Sequence, residues 1–577
     1  VHENGLKTVS AGQRKGWRAG RLARTLRGDM NDPGLIQWWR GAALYQVYPR
    51  SFADSNGDGI GDLPGITARL PYIASLGVDG VWISPFFKSP MRDFGYDVSD
   101  PRAVDPMFGT LADFDALVAR AHALGLKVVI DQVWSHTAAE HPWFEESRGS
   151  RDNPRCDWYV WADARADGSP PTNWQSWMGG PTWTWDPRRR QYYLHNFLPQ
   201  MPDLNLHHPP VQDALLEIGR FWLERGVDGF RLDTANYYCH DPQLRDNPPQ
   251  PPERRGDTPA AMQKHLYNIC QPQTLPFLER VRGLLDGYGV SAGQAARFAV
   301  AEIGSQDNLA RMIEYTRGDE RLHTAYSFVL LGPQPRADAL AELMRPWQEG
   351  EGAQAWPSWA LSNHDAPRVA TRWARGDPAR ARQLVALLAC LRGTVFLYQG
   401  EELGLPQSDI AFEDLRDPVG RAHWPRDKGR DGCRTPMPWE AGHPSGGFTD
   451  ARPWLPSDAG HRALAVDRQE ADAGSTLHLT RRVLALRRAH PALRIGRFET
   501  LHADADLLVC RRVHGADAVL AAFNLGQQAT THTLADAPKP VGEILAINGA
   551  TLEGARLHLP PGSALVVPLR PLGDSTP

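Results

Sequence analysis

The sequence predicts an α/β protein built on a parallel sheet, with an inserted lobe and a C-terminal antiparallel β-sandwich. Three observations predict it. A helix end, a glycine and a short apolar strand recur in SLGVDGVWISP (75–85), ALGLKVVIDQVWSH (123–136) and ERGVDGFRLDTAN (224–236). The interval from Gly77 to Gly125 is 48 residues, but that from Gly125 to Gly226 is 101. Near residue 495 the chain changes character, to short apolar stretches broken by Gly, Asp and Pro. Strands alternating with helices mean βα units and a parallel sheet.

In chain order, residues 1–35 contain GQRKGWRAGRLARTLRG, a basic stretch with no apolar run after it. It reads as a poorly ordered extension rather than a secretory signal. Ile66, Leu70, Ile73 and Leu76 share one helix face, and Phe114, Leu117, Ala121 and Leu124 share another behind a capping box, Thr110 with Asp113. Leu215, Ile218 and Trp222 repeat the pattern after Pro210. Gly77, Gly125 and Gly226 fit helix C′ positions, where positive φ is cheap only for glycine. The apolar runs that follow lack alternation, as strands buried on both faces do. The extra length before Gly226 is an inserted domain at 137–205, which holds seven of the 20 tryptophans and no helical period. Further strand segments fall at 299–304, 326–331, 358–362 and 395–399, and a helix at 476–490. The parallel core therefore spans 36–136 and 206–494. The tail, 495–577, offers RFETLHA, DLLVCRRV, AVLAAFNL, EILAI, ARLHL and SALVVPL as strands of a sandwich.

Composition narrows the class. A net charge of −4 gives no broad attraction to nucleic acid or anionic membrane. No run long enough for a transmembrane helix occurs. The six cysteines show no metal spacing and read as reduced thiols of a cytoplasmic protein.

Three apolar segments end in a carboxylate: GFRLD with Asp233, AVAEIG with Glu302 and SNHD with Asp365. Acids at the ends of separate strands assemble into one site, and two carboxyl groups flanking a bond with a third in support suit cleavage of a glycosidic linkage. Arg231 lies two residues before Asp233, on the same side of a strand, placed to orient that carboxylate and keep it ionised.

DQVWSH, MPDLN, GFRLD, AEIG, SNHD and GEELGL occur in the order in which they stand in the α-amylase family of glycoside hydrolases. From about Trp38 to its end the chain resembles the oligo-1,6-glucosidase/α-glucosidase branch of that family. The resemblance implies a (β/α)8 TIM barrel with a B domain after strand three and a C-terminal β domain. It implies Asp233 as nucleophile, Glu302 as general acid/base with a pKa raised by two nearby aspartates, and Asp365 as the carboxylate holding sugar hydroxyls. His136 and His364 would donate to glucose hydroxyls. Tyr96 and Asp97, in GYD, would form the floor of the glucose subsite, and Arg434 would pair with Asp97 and close the pocket, giving exo action. In DSNGDGIGD, Asp54, Asn56, Asp58, the Ile60 carbonyl and Asp62 resemble the branch's structural Ca2+ or Mg2+ loop. The competing reading is a turn held by Asx caps.

Thr234, the residue after the nucleophile, stands where threonine accompanies α-1,4 cleavage in this branch and valine α-1,6. The loop 237–257, with five prolines in 21 residues, resembles the long loop of bacterial α-glucosidases that act on disaccharides and transfer glucose to small alcohols and phenols. The implied activity is a retaining α-glucosidase acting on maltose-like substrates and hydroxyl acceptors, as a monomer or homodimer, with no organic cofactor. An oligo-1,6-glucosidase or a sucrose/maltose isomerase would share the first half-reaction. A transporter-accessory protein on the same fold would need a membrane anchor, which is not seen.

Overall fold

The structure is a computed structural model that describes residues 37–289 and 295–570. The N-terminal extension expected at 1–35 lies outside them. Eight parallel strands form the core: β1 (Ala43–Val47), β2 (Gly80–Ile83), β3 (Lys127–Gln132), β4 (Gly229–Leu232), β5 (Phe298–Ile303), β6 (Thr324–Ser327), β7 (Ser358–Ala360) and β8 (Thr394–Tyr398). Their order is β6-β5-β4-β3-β2-β1-β8-β7. A parallel bridge between Ala325 and Pro357 joins the two ends of this row, so the sheet curls into a nearly closed (β/α)8 barrel.

Local sequence explains the helices on its outside. Leu63–Ser75 buries Ile66, Leu70 and Ile73, and Leu111–Ala123 buries Phe114, Leu117 and Ala121. The capping box forms: the Asp113 amide donates to Thr110 Oγ1 at 3.3 Å, and the Thr110 amide donates to Asp113 Oδ2 at 2.8 Å. Gly77, Gly125 and Gly226 all have positive φ, which turns the chain from helix into strand. The repeated VDG then serves the barrel floor twice. Asp79 accepts the amide of Ala43 at the start of β1, and Asp228 accepts that of Val128 in β3. The glycine that follows lets backbones touch. A Cβ on Gly80 would lie 2.7 Å from the Lys127 carbonyl, and one on Gly229 would lie 2.6 Å from that of Phe298.

Between β3 and the helix Pro209–Glu224 stands a lobe with a three-stranded antiparallel sheet, Trp161–Ala162, Gln191–Leu194 and Trp183–Asp186 in that order. Val160, Trp174, Trp183 and Leu194 give it a small core of its own. Antiparallel bridges His136–Asp203 and Tyr159–Leu204 fasten it over the C-terminal mouth of the barrel.

At the C-terminus, a five-stranded antiparallel sheet faces a three-stranded one. Alternation along its strands splits them between two cores. Leu507, Val509, Leu520 and Leu565 face the smaller sheet, whereas Leu508, Cys510, Val519 and Val566 join the main core of the barrel. The unbroken apolar run AVLAAFNL follows from burial on both faces. Two strands of the smaller sheet, Thr530–Thr533 and Thr551–Glu553, were not expected from the sequence, because both are short and polar. The strand expected at 326–331 ends at Ser327. The 3-10 turn Phe328–Leu330 takes over and carries Phe328 to the barrel mouth.

A Gly229→Ala substitution overpacks β4 against β5 and is expected to cost about 1–3 kcal/mol. The check is a lowered midpoint of thermal inactivation with KM unchanged.

Candidate active site

The register of β4 on β5 pairs Leu232 with Ala301 and so sets Asp233 level with Glu302 at neighbouring strand ends. Adjacent strands lie about 4.8 Å apart, which allows the carboxyl separation of about 5–5.5 Å used by retaining glycosidases. Asp365 arrives on the segment after β7. Arg231 is completely buried beneath them. Its guanidinium donates to Asp131 at 2.6 Å, to Asp233, and to the Tyr326 hydroxyl at 3.1 Å, and it touches Glu302. The guanidinium carbon stands 5.2 Å from the ring centroid of Trp82, whose indole N–H donates to Asp131.

Three carboxylates around one cation leave an excess of negative charge in a dry site. Burial raises Glu302 to about 7; Arg231 opposes this, and Asp233 and Asp365 add to it. The sequence attributed that rise to like-charge repulsion alone, but desolvation is the larger cause. Burial also raises Asp233 to about 6 against the pull of Arg231, with Asp131 pushing it further up. Arg231 thus orients Asp233 without holding its pKa at the ordinary value. Asp365 goes the other way. Burial would raise it, but His364, Arg434 and Arg430 hold it well below the usual carboxylate range. Burial takes His364 down to about 3, so its ring is neutral at pH 7 and the two guanidiniums supply the charge there.

Thr234 has left-handed backbone, with φ 41° and ψ 45°. For a β-branched residue this conformation is strained. It aims the Thr234 amide at Glu302 Oε2, 3.1 Å away, and its hydroxyl meets Asp233 Oδ2 and Ser135 Oγ.

The Tyr96 ring stacks on that of His364, 5.2 Å apart and 3° from parallel. Gln46 donates to Nδ1 of His364, which leaves the ring proton on Nε2, 2.6 Å from the Tyr96 hydroxyl and 3.1 Å from Asp365. His136 is buried and its pKa is lowered to about 4 by desolvation, so it too is a neutral hydrogen-bonding ring.

The expected pair of Asp97 with Arg434 does not form. Asp97 is fully buried and accepts from Ser89 Oγ and from the amides of Arg92 and Asp93, so it shapes the loop. Arg434 donates to the His364 carbonyl at 2.6 Å and to Asp365 at 2.8 Å, behind the pocket wall. The pair that faces the cavity is Asp93 with Arg430, at 2.5 Å; Arg430 also binds Asp417 and reaches Asp365. Asp93 lies three residues before Tyr96, and Arg430 four before Arg434. Neither was singled out from the sequence, and spacing alone could not say which acid met which base. Asp131 and Tyr326 were also missed. Each lies inside a strand, and its partners come from other strands.

The side-chain oxygens expected to hold Ca2+ or Mg2+ accept backbone amides within the loop itself. Asp54 accepts amides of Asn56, Gly57 and Gly59, Asn56 that of Asp58, Asp58 that of Ile60, and Asp62 those of Ser55 and Gly65. Among the described residues no group of three or more His, Cys, Asp or Glu side chains is placed to hold a metal ion. The loop as it stands is a chain of Asx turns, and no chemistry runs through it.

The acids open into a cavity of about 470 Å³. Its inner part is polar, with Asp93, Tyr96, His136 and Arg430. Apolar residues complete the lining, among them Tyr237 and Ile269, which are buried, and Trp177 and Phe328, which are exposed at its mouth. The long loop after β4 is tied to the inserted lobe there. Asn173 and Asn247 exchange hydrogen bonds, Trp174 donates to the Arg245 carbonyl, and Trp177 stacks on His265 at 5.1 Å.

Barrel, lobe and paired acids define a glycoside hydrolase. Residues 46–496 match the alpha amylase catalytic domain, and the chain belongs to that family. It is 54% identical over 508 residues to a "Probable alpha-glucosidase" of Rhizobium meliloti, covering 86% of this chain and 91% of that one. It is 35% identical over 514 residues to an "Oligo-1,6-glucosidase" of Halalkalibacterium halodurans, covering 85% and 90%. Among solved structures it resembles the alpha-glucosyl transfer enzyme XgtA, at 53% identity and TM-score 0.86 over 92% of this chain and 99% of that one. It also resembles the trehalulose synthase MutB of Pseudomonas mesoacidophila, at 30% identity and TM-score 0.82 over 92% and 99%. No helix among the described residues is long and apolar enough to cross a membrane.

Replacing Asp93 by Asn unbalances the Arg430 guanidinium in the cavity lining. Loss of a desolvated charge pair of this kind is expected to lower kcat/KM about 100-fold, read on maltose and on a nitrophenyl α-glucoside.

Proposed function

We propose that this chain is a retaining, exo-acting α-glucosidase that removes one α-glucose from the non-reducing end of short α-1,4-linked glucosides such as maltose, and also passes it to small hydroxyl acceptors. The observation that carries this reading is the level placement of Asp233 and Glu302 over one buried arginine, in a cavity whose lining includes the paired Asp93 and Arg430. A pocket closed at its inner end admits a chain terminus and no chain interior.

In the first step a carboxylate oxygen of Asp233 attacks the anomeric carbon. The bond from that carbon to the leaving oxygen breaks, and the leaving oxygen takes the proton of Glu302. In the second step Glu302, now ionised, takes a proton from water or an alcohol, whose oxygen attacks the same carbon and frees Asp233. Two inversions give net retention. Asp365, held ionised, and the neutral ring of His136, both in the cavity lining, offer an acceptor and a donor for the hydroxyls of a distorting sugar, while the buried His364 backs Asp365 and Tyr96.

The apolar mouth supports transfer. Trp177 and Phe328, 43% and 36% exposed, offer faces on which an alcohol or phenol can displace water from the intermediate. The name of XgtA, an alpha-glucosyl transfer enzyme, agrees with this. Threonine at 234 supports α-1,4 preference through the resemblance. A second reading is the isomerase type, favoured by the likeness to a trehalulose synthase.

Two outcomes are expected. Glucose released from maltose is the α-anomer when first seen by proton NMR, and Asp233→Asn abolishes release; β-glucose as first product would remove the covalent step. The profile of kcat/KM against pH is a narrow bell. Activity falls below about 6 as Asp233 gains a proton, and above about 7 as Glu302 loses one. Comparing maltose, isomaltose and sucrose, with and without an added phenol, separates hydrolase, α-1,6 and isomerase readings.

A further inference from the structure

We propose that Tyr326 is a positioning residue that, with the Thr234 amide, decides which oxygen of Glu302 carries the catalytic proton. This rests on the reading of Glu302 as general acid/base.

Tyr326 is the cross-strand partner of Glu302 in the β5–β6 register, so the two side chains stand side by side inside the barrel. The Tyr326 oxygen lies 3.1 Å from Arg231 Nη2 and 2.9 Å from Glu302 Oε1. A guanidinium can only donate. The tyrosine oxygen therefore accepts from Arg231, and its one hydrogen points at Oε1. Arg231 Nη2 also contacts Oε1 directly, so both lone pairs of that oxygen face donors. A protonated Oε1 would set hydrogen against hydrogen. Oε2 meets one donor, the Thr234 amide at 3.1 Å, and keeps a lone pair free. The proton thus resides on Oε2, beside Thr234, which lines the cavity with Glu302. The left-handed backbone of Thr234 gains a purpose: it brings one amide, and only one, to that oxygen. Tyr326 is fully buried, and burial raises its own pKa well above the ordinary value, so the hydrogen stays in place across the working range.

The hydroxyl also stabilises the ionised form of Glu302. Removing it raises the pKa of Glu302, leaves the acid protonated to higher pH, and frees Oε1 to hold the proton facing away from the substrate. With Tyr326→Phe, the basic limb of kcat/KM is expected to move alkaline by about one pH unit. Turnover of maltose falls about tenfold, while a dinitrophenyl α-glucoside, whose leaving group departs unprotonated, is much less affected. Site-specific 3-fluorotyrosine at 326 keeps the shape and strengthens the donor, so it moves the limb the other way. An unmoved basic limb in either folded variant, or an equal loss on both substrates, overturns the proposal and leaves Tyr326 a packing residue. Glu302→Gln is measured alongside. If it still cleaves maltose, the acid/base reading of Glu302 fails; if it is inactive while the Tyr326 variants keep the native limb, only the present inference fails.

Discussion

The buried guanidinium of Arg231 is the constraint on which the site depends. It is out of contact with water and has three carboxylates around it, Asp131, Asp233 and Glu302. One positive charge cannot neutralise three negative ones. Burial then makes the surplus expensive, and all three acids answer by holding their protons to higher pH. The same desolvation that would destabilise a fold here brings Asp233 and Glu302 to adjacent titration ranges. Asp365 escapes because it faces two guanidiniums of its own, from Arg430 and Arg434.

Barrel geometry makes this charge cluster possible. Arg231, Asp233, Glu302 and Tyr326 come from three consecutive strands, and parallel register puts Asp233, Glu302 and Tyr326 at one height with Arg231 two residues beneath them. The floor of the barrel is pinned by Asp79 and Asp228 and by glycines that let strands close up, far from the chemistry. At the opposite end the inserted lobe and the loop after β4 are joined by amide hydrogen bonds and a tryptophan–histidine stack. The result is a cavity with a charged inner end and an apolar mouth, which is the division needed to hold a sugar by its hydroxyls and an aglycone by its faces.

Much of the fold was legible in the sequence because it rests on local rules. The glycines at 77, 125 and 226 stop helices by the freedom of their backbone, the capping box at Thr110 starts one, and unbroken apolar runs mark strands covered on both sides. The polar strands Thr530–Thr533 and Thr551–Glu553 escaped because nothing in their side chains requires a sheet; pairing with Arg556–Leu559 makes them strands.

The sequence by itself determined the architecture and pointed to the three carboxylates, since Asp233 and Glu302 stand at strand ends whose apolar pattern fixes their place and Asp365 follows a third strand. Only the tertiary structure decided the partners. Asp93 rather than Asp97 meets a cavity arginine, and that arginine is Arg430 rather than Arg434, because a buried charge pairs with whatever the fold brings within about 3 Å of it and not with its neighbour in a motif. The placement of Tyr326 against Glu302 is of the same kind: a register between two strands, invisible along either one.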